Sequence, residues 1–137
     1  YYAQKEKVDY IIVDGPPGIG CPVNSTLSGL KYAVGVTEPT ESGLSDLERL
    51  MELFHHFKIK PFIIINKSDL NSEMSEKIKR KSIEEGAIFL GEIPFDPVVV
   101  ESLKMGKPVV IYEKESKAKK IITELWKKIE DYLSRRV

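Results

Sequence analysis

Apolar residues along this chain follow two rhythms. Short unbroken runs alternate with longer stretches in which apolar positions recur every three or four residues. Residues 8–13, ending in Tyr10-Ile11-Ile12-Val13, form the first run and predict a strand buried on both faces. Residues 24–30 carry a weaker pattern, a turn or a short helix. Tyr32-Ala33-Val34-Gly35-Val36-Thr37 predicts a second buried strand. Beyond a loop over residues 38–43, Leu44, Leu47, Leu50, Met51 and Phe54 predict a helix with one apolar face. Ser42 or Gly43 is its expected cap, and Phe57 or Lys58 its expected end.

The alternation continues. Pro61 opens a third strand, Phe62-Ile63-Ile64-Ile65, which runs into Asn66-Lys67-Ser68-Asp69. A polar helix over residues 72–85 should end at Gly86. Residues 87–93 predict a fourth strand, stopped by Pro94-Phe95-Asp96-Pro97. A short helix over residues 98–105 should close at Gly106, and residues 109–112 read as a short extended piece. Ser116 can cap a last helix with Ala118, Ile121, Ile122, Leu125, Ile129 and Leu133 on one face. Strands alternating with helices predict an α/β fold, a mostly parallel sheet flanked by helices on both sides. There is no internal repeat or interdomain linker, so residues 1–137 read as a single domain.

Composition narrows the function classes. Lys+Arg and Asp+Glu both number 21, so the formal net charge is zero and no basic block marks a nucleic-acid footprint. The single cysteine, Cys21, cannot form an internal disulfide or a cysteine-based zinc site alone, which fits a reducing, cytoplasmic setting. Cys21 reads as a small apolar residue in preference to a cluster ligand. No apolar run is long enough to span a bilayer. The first residues, 1–7, look like the frayed end of something longer.

Chemistry concentrates after the predicted strands. The stretches 14–20, 37–40, 66–69 and 94–96 each follow a strand end, and a parallel sheet gathers such loops along one edge. Asp14 stops the first apolar run, and Gly15-Pro16-Pro17-Gly18-Ile19-Gly20 follows. An acid at a strand's carboxyl end, before a loop that brings backbone N–H groups close to a ligand, suits a Mg²⁺-nucleotide. A tight turn explains the same residues without a ligand. Asn66-Lys67-Ser68-Asp69 fits N-K-x-D, in which an asparagine amide offers donor and acceptor to a purine edge and an aspartate accepts from guanine. An Asx turn capping the next helix is the alternative.

Two further readings fare worse. Gly15, Gly18 and Gly20 with Glu38 approximate a dinucleotide fingerprint, but the glycines fall in the wrong order and Pro16 and Pro17 lack N–H groups. His55 and His56 are adjacent on a helix and point different ways, which disfavours a shared metal. No G-x-x-x-x-G-K-[ST] occurs anywhere, so the phosphate cradle and its lysine are not in this sequence.

Taken in order, these motifs resemble a known family. Asp9-Tyr10-Ile11-Ile12-Val13-Asp14-Gly15-Pro16-Pro17-Gly18-Ile19-Gly20-Cys21-Pro22 looks like the Walker B and switch II segment of the MinD/ParA/Mrp class of P-loop ATPases. Val36-Thr37-Glu38-Pro39-Thr40, with Gly43-Leu44-Ser45-Asp46-Leu47, resembles the next strand, loop and helix. Ile65-Asn66-Lys67-Ser68-Asp69-Leu70 matches the base-binding strand end, and Ile93-Pro94-Phe95-Asp96-Pro97 the last nucleotide loop. The resemblance runs over residues 8–133 and is closest to MinD-like ATPases that carry an inserted ferredoxin module.

The resemblance implies a P-loop NTPase-like, three-layer fold lacking its N-terminal P-loop unit. It gives Asp14 the Mg²⁺ ion, through water, and the Gly18 backbone the γ-phosphate. Gly15, Pro16, Pro17 and Gly20 would form the switch. Asn66 would read adenine, with Asp69 in the same motif, and Pro94 and Phe95 would line the base beside Asp96. The implied protein binds ATP with Mg²⁺ and dimerises, or pairs with a P-loop-bearing partner. An iron–sulfur cluster would enter only through segments outside this sequence. On this reading the chain is the C-terminal part of an ATPase and inactive alone. A GTP-binding protein using Asp69 and a non-catalytic half-domain are the alternatives. The last helix, with Trp126 and mixed charges, is expected to pack on the sheet and not on a membrane.

Overall fold

The computed structural model describes residues 8–16 and 21–135, the side chains of residues 21 and 22 excepted. Three parallel strands, β1 (Tyr32–Thr37), β2 (Lys60–Asn66) and β3 (Ile88–Ile93), form one sheet in that order. The helices are α1 (Cys21–Leu27), α2 (Glu41–His56), α3 (Ser72–Glu84), α4 (Pro97–Lys104) and α5 (Lys117–Ser134). Two single 3₁₀ turns, Ser68–Leu70 and Val109–Ile111, complete the described elements.

β2 is central, and its unalternating sequence reflects that. Ile63 and Ile65 point into a core with Leu44, Leu47, Met51 and Phe54 of α2 and Met74 and Ile78 of α3. Phe62 and Ile64 point the other way, onto Leu90 and Leu125. α5 lies there, with Tyr132 edge-on to both Tyr32 and Phe62. The result is three layers, helices on both faces of the sheet, as the apolar pattern predicts. Each large side chain so buried contributes roughly 1.5–3 kcal/mol. Pro61 costs no ladder bond. β2 residues of odd number face β3, and Pro61 precedes the first β2–β3 pair, Phe62 with Ile88.

Two glycines set the packing distances. Gly35 has no Cβ to meet Ile63 Cδ1, which an added methyl would approach at 2.9 Å, so α2 settles close on β1. Gly91, at φ +156°, follows a register irregularity opposite Ile63 and Ile64 and gives room to Leu125.

Several expectations are corrected. Residues 8–13 are not a buried strand: they have no regular secondary structure, with Ile11 and Ile12 69% and 77% exposed. Among the described residues no strand lies beside them to complete a ladder, and burial on both faces requires one. β1 is likewise an edge, with Val36 61% exposed. The cap of α2 is Thr40, whose Oγ1 accepts from the Gly43 N–H at 2.9 Å, and not Ser42 or Gly43. Residues 109–112 turn instead of extending, because Pro108 accepts the Ile111 N–H. The other predicted helices and strands form within a few residues of their expected bounds, including the last helix capped by Ser116.

Candidate functional site

Parallel strands deliver their following loops to one edge, and here three such loops are tied together. After β1, Thr37 Oγ1 donates to the Gly43 carbonyl at 3.0 Å, folding residues 37–40 back on the start of α2. Gly43 is obligatory, since a Cβ there would overlap the Glu38 carbonyl oxygen. After β2, Asn66 Oδ1 accepts the Lys67 N–H at 3.0 Å. Lys67 itself is left-handed at φ 54°, an uncommon conformation for a side chain with a Cβ. Ser75 Oγ then donates to the Ser68 carbonyl at 2.8 Å and fixes the turn.

Two contacts join the loops. Lys67 Nζ lies 2.7 Å from Glu38 Oε1, bridging the ends of β1 and β2. Asp69 Oδ1 accepts the Phe95 N–H at 2.7 Å, bridging the ends of β2 and β3. The second is a charge-assisted bond, short and directional. It leaves Phe95 46% exposed beside Pro94. Asp69 and Phe95 are thereby brought together, with Asn66 and Pro94 on the same two strand-end loops.

Asp96 has a different task. Its Oδ1 accepts the Val98 N–H at 2.9 Å and caps α4, and its Oδ2 accepts the Ala118 N–H at 3.1 Å at the start of α5. The Ala118 bond is the main reason its carboxyl is held below the ordinary value of 3.8; the Val98 bond acts in the same sense and partial burial opposes. Both oxygens are spent on backbone, which makes Asp96 a structural joint.

Asp14, Gly15 and Pro16 are exposed and line a cleft beside β1. Pro17, Gly18 and Gly20 lie outside the described residues, as does the Cys21 side chain. His55 Nε2 is 3.0 Å from the Glu85 carbonyl. Among the described residues no group of three His, Cys, Asp or Glu side chains could hold a metal ion. No described helix is long and apolar enough to cross a membrane.

Sequence reasoning missed the clasp made by Lys67 and Glu38. Lys67 entered as a member of the N-K-x-D strand end, and Glu38 in the rejected dinucleotide reading and in the loop after the second strand, with no link drawn between them. Opposite charges one residue beyond adjacent parallel strands are the signal that could have found it.

Comparisons place the chain among known proteins. The family model described as the NUBPL iron-transfer P-loop NTPase matches residues 2–130. An uncharacterised protein of Methanocaldococcus jannaschii, MJ0578, is 30% identical over 96% of this chain and 44% of its own length. An iron-sulfur cluster carrier protein of Pyrococcus horikoshii is 30% identical over 89% of this chain and 45% of its own. The cell division ATPase MinD of Pyrococcus furiosus superposes with a TM-score of 0.76 at 28% identity, covering 95% of this chain and 55% of that one. The chain thus spans less than half the length of the curated relatives it matches. With three parallel strands under helices, loops gathered at one sheet edge and a family match over nearly its whole length, the chain belongs to the NUBPL iron-transfer P-loop NTPases of the ParA/MinD class.

Proposed function

We propose that this chain supplies the base side and the switch side of a Mg-ATP site in a MinD-like ATPase. The observation that carries this is the double clasp, Lys67 to Glu38 and Asp69 to the Phe95 N–H, which holds three strand-end loops as one surface. Asn66, its Oδ1 engaged by Lys67, offers its Nδ2 donor to a purine ring nitrogen. Pro94 and the exposed face of Phe95 give the base an apolar wall. Asp69 is the acid a guanine-reading motif would use, yet it is engaged by the Phe95 backbone. This favours ATP over GTP.

The magnesium side rests on Asp14. An exposed carboxylate is a suitable hard oxygen donor for Mg²⁺, which keeps several waters and takes its remaining ligands from phosphates. The ion would neutralise phosphate charge. Gly15 and Pro16 open the loop, through Pro17 and Gly18 to Gly20, that senses the phosphates. A phosphate cradle and its lysine are not in this sequence, and phosphoryl transfer depends on them. The chain by itself is therefore a binding surface without turnover. Iron–sulfur cargo is attributed to the whole protein, because the single cysteine of this sequence, Cys21, cannot supply a cluster's ligands alone. Dimerisation around ATP, or pairing with a P-loop-bearing partner, belongs to the same whole.

The test is calorimetric titration of Mg-ATP and Mg-GTP into the pure chain, with phosphate release measured in parallel. Weak or no binding, without turnover, is expected. Stoichiometric hydrolysis by pure chain would overturn the half-site reading, and tight GTP preference would overturn the choice of base.

A further inference from the structure

We propose that the exposed face of α4, together with the 3₁₀ turn at Val109–Ile111, docks an acidic amphipathic helix of a partner protein. The inference rests on the packing of α4 and does not need the nucleotide reading.

α4 is built inside out. Ser102 is completely buried, its Oγ donating to the Val99 carbonyl at 2.9 Å, while its neighbour Leu103 is 69% exposed. A helix serving only its own core places these two the other way round. Val100, one turn earlier, is also exposed and forms an i, i+3 row with Leu103. Met105 follows, its N–H held by the Glu101 and Ser102 carbonyls, and is 65% exposed. The 3₁₀ turn is tied back to α4 by the ion pair of Lys114 with Glu101 and carries exposed Val110 and Ile111. Among the described residues, apart from residues 8–13 and the cleft they form with β1, eight large apolar side chains are exposed, and five belong to this ledge. Single exposed side chains are ordinary, but a concentration between residues 100 and 111, rimmed by charges, marks a contact surface.

The charges say what contacts it. The whole chain is neutral, yet residues 101–120 hold six lysines against three glutamates. Glu101 pairs with Lys114, Glu113 with Lys107, and Glu115 with Lys119 and Lys120. Lys104 and Lys117 are exposed and make no ion pair among the described residues. Lys104 ends α4. Lys117 opens α5 next to Ala118, whose N–H reaches Asp96 at the start of α4. The spare charges therefore mark the two ends of α4, about 11 Å or two helical turns apart.

A helix with carboxylates two turns apart and leucines between them matches this spacing, and its apolar row can lie against Val100 and Leu103. A second copy of the chain would bring the lysine excess against itself. A bilayer would press anionic headgroups on Glu101, Glu113 and Glu115 as well, whereas a helix sets its acids opposite Lys104 and Lys117 alone.

Met105 is the reporter. Of the three methionines, Met51 and Met74 are buried and Met105 is exposed, so ¹³C-methyl labelling reads the ledge with two internal controls. The probe is an acetylated, amidated peptide of about 15 residues, long enough for a helix, with leucines on one face and glutamates two turns apart beside them. Its controls are the same peptide with lysine for every glutamate, and vesicles of phosphatidylserine. We expect a saturable shift of the Met105 methyl while Met51 and Met74 stay still. The lysine peptide should bind at least tenfold more weakly. Leu103→Asp and Lys104→Glu should each weaken the acidic peptide about tenfold while circular dichroism stays native. If Leu103→Asp unfolds, Lys104→Glu and the two peptides still decide. Equal binding of both peptides, or an unmoved Met105 methyl, would overturn the proposal. A Met105 shift with vesicles and not with the peptide would assign the ledge to a lipid surface, and one on concentrating the chain alone would assign it to a second copy; either result sinks the partner helix.

Discussion

One carboxylate, Asp96, starts two helices. It caps α4 at Val98 and holds the first turn of α5 at Ala118. Asparagine caps a helix about as well as aspartate, so Asp96→Asn should keep the α4 cap and weaken the second, charge-assisted bond. A loss of about 1 kcal/mol is expected in urea denaturation near neutral pH. The folded carboxyl titrates below its ordinary value, so its stabilisation is fully present above about pH 3.8 and is lost as pH falls through the depressed folded value. The gap between wild type and Asp96→Asn should therefore close in the acid range. A gap that persists unchanged at pH about 2 would show that the two backbone bonds do not govern this carboxyl.

At the scale of elements, the junction of β1 with α2 is the tightest. Thr40 caps the helix, Thr37 reaches the Gly43 carbonyl, and Gly43 lies against the Glu38 carbonyl. Gly43→Ala should cost about 2 kcal/mol, since the methyl meets backbone that cannot swing aside. It should also loosen the Glu38–Lys67 bridge, read as a changed Lys67 amide shift by NMR. The same junction explains what the sequence revealed and what it hid. The apolar stripe from Leu44 to Phe54 located α2 because burial acts on every turn. Thr40, Ser42 and Gly43 are all acceptable caps, and only the return of Thr37 to Gly43, a contact across the loop, selects Thr40. Residues 8–13 misled for the converse reason. Tyr10 to Val13 have the composition of a central strand, but pairing is a property of neighbours, and composition does not say whether one is present. Within the site, Asn66 and Asp69 could be read locally from N-K-x-D, whereas the Asp69–Phe95 bond spans 26 residues and was hidden.

The whole molecule is a three-layer body with one unfinished side. β1 presents backbone groups and exposed Val34 and Val36 to solvent, the kind of edge that draws chains together. Self-association should therefore rise with concentration in light scattering. Val36→Lys should suppress it with a change in stability within about 0.5 kcal/mol, because Val36 is a surface position. Unchanged scattering would mean that the edge is not the sticky surface.

α5 links this unfinished side to the loops at the sheet edge. It is an 18-residue rod, and its first turn is fastened to Asp96 while Trp126 and Ile129 face the cleft. The rod is also held along its length, by Leu125 and Tyr132 on the sheet and by Lys128 Nζ, which donates to the Leu90 carbonyl at 3.0 Å. It cannot tilt without unpacking that face, so it sets one fixed distance between the wall at Trp126 and Ile129 and the loop that carries Asp96 and Phe95.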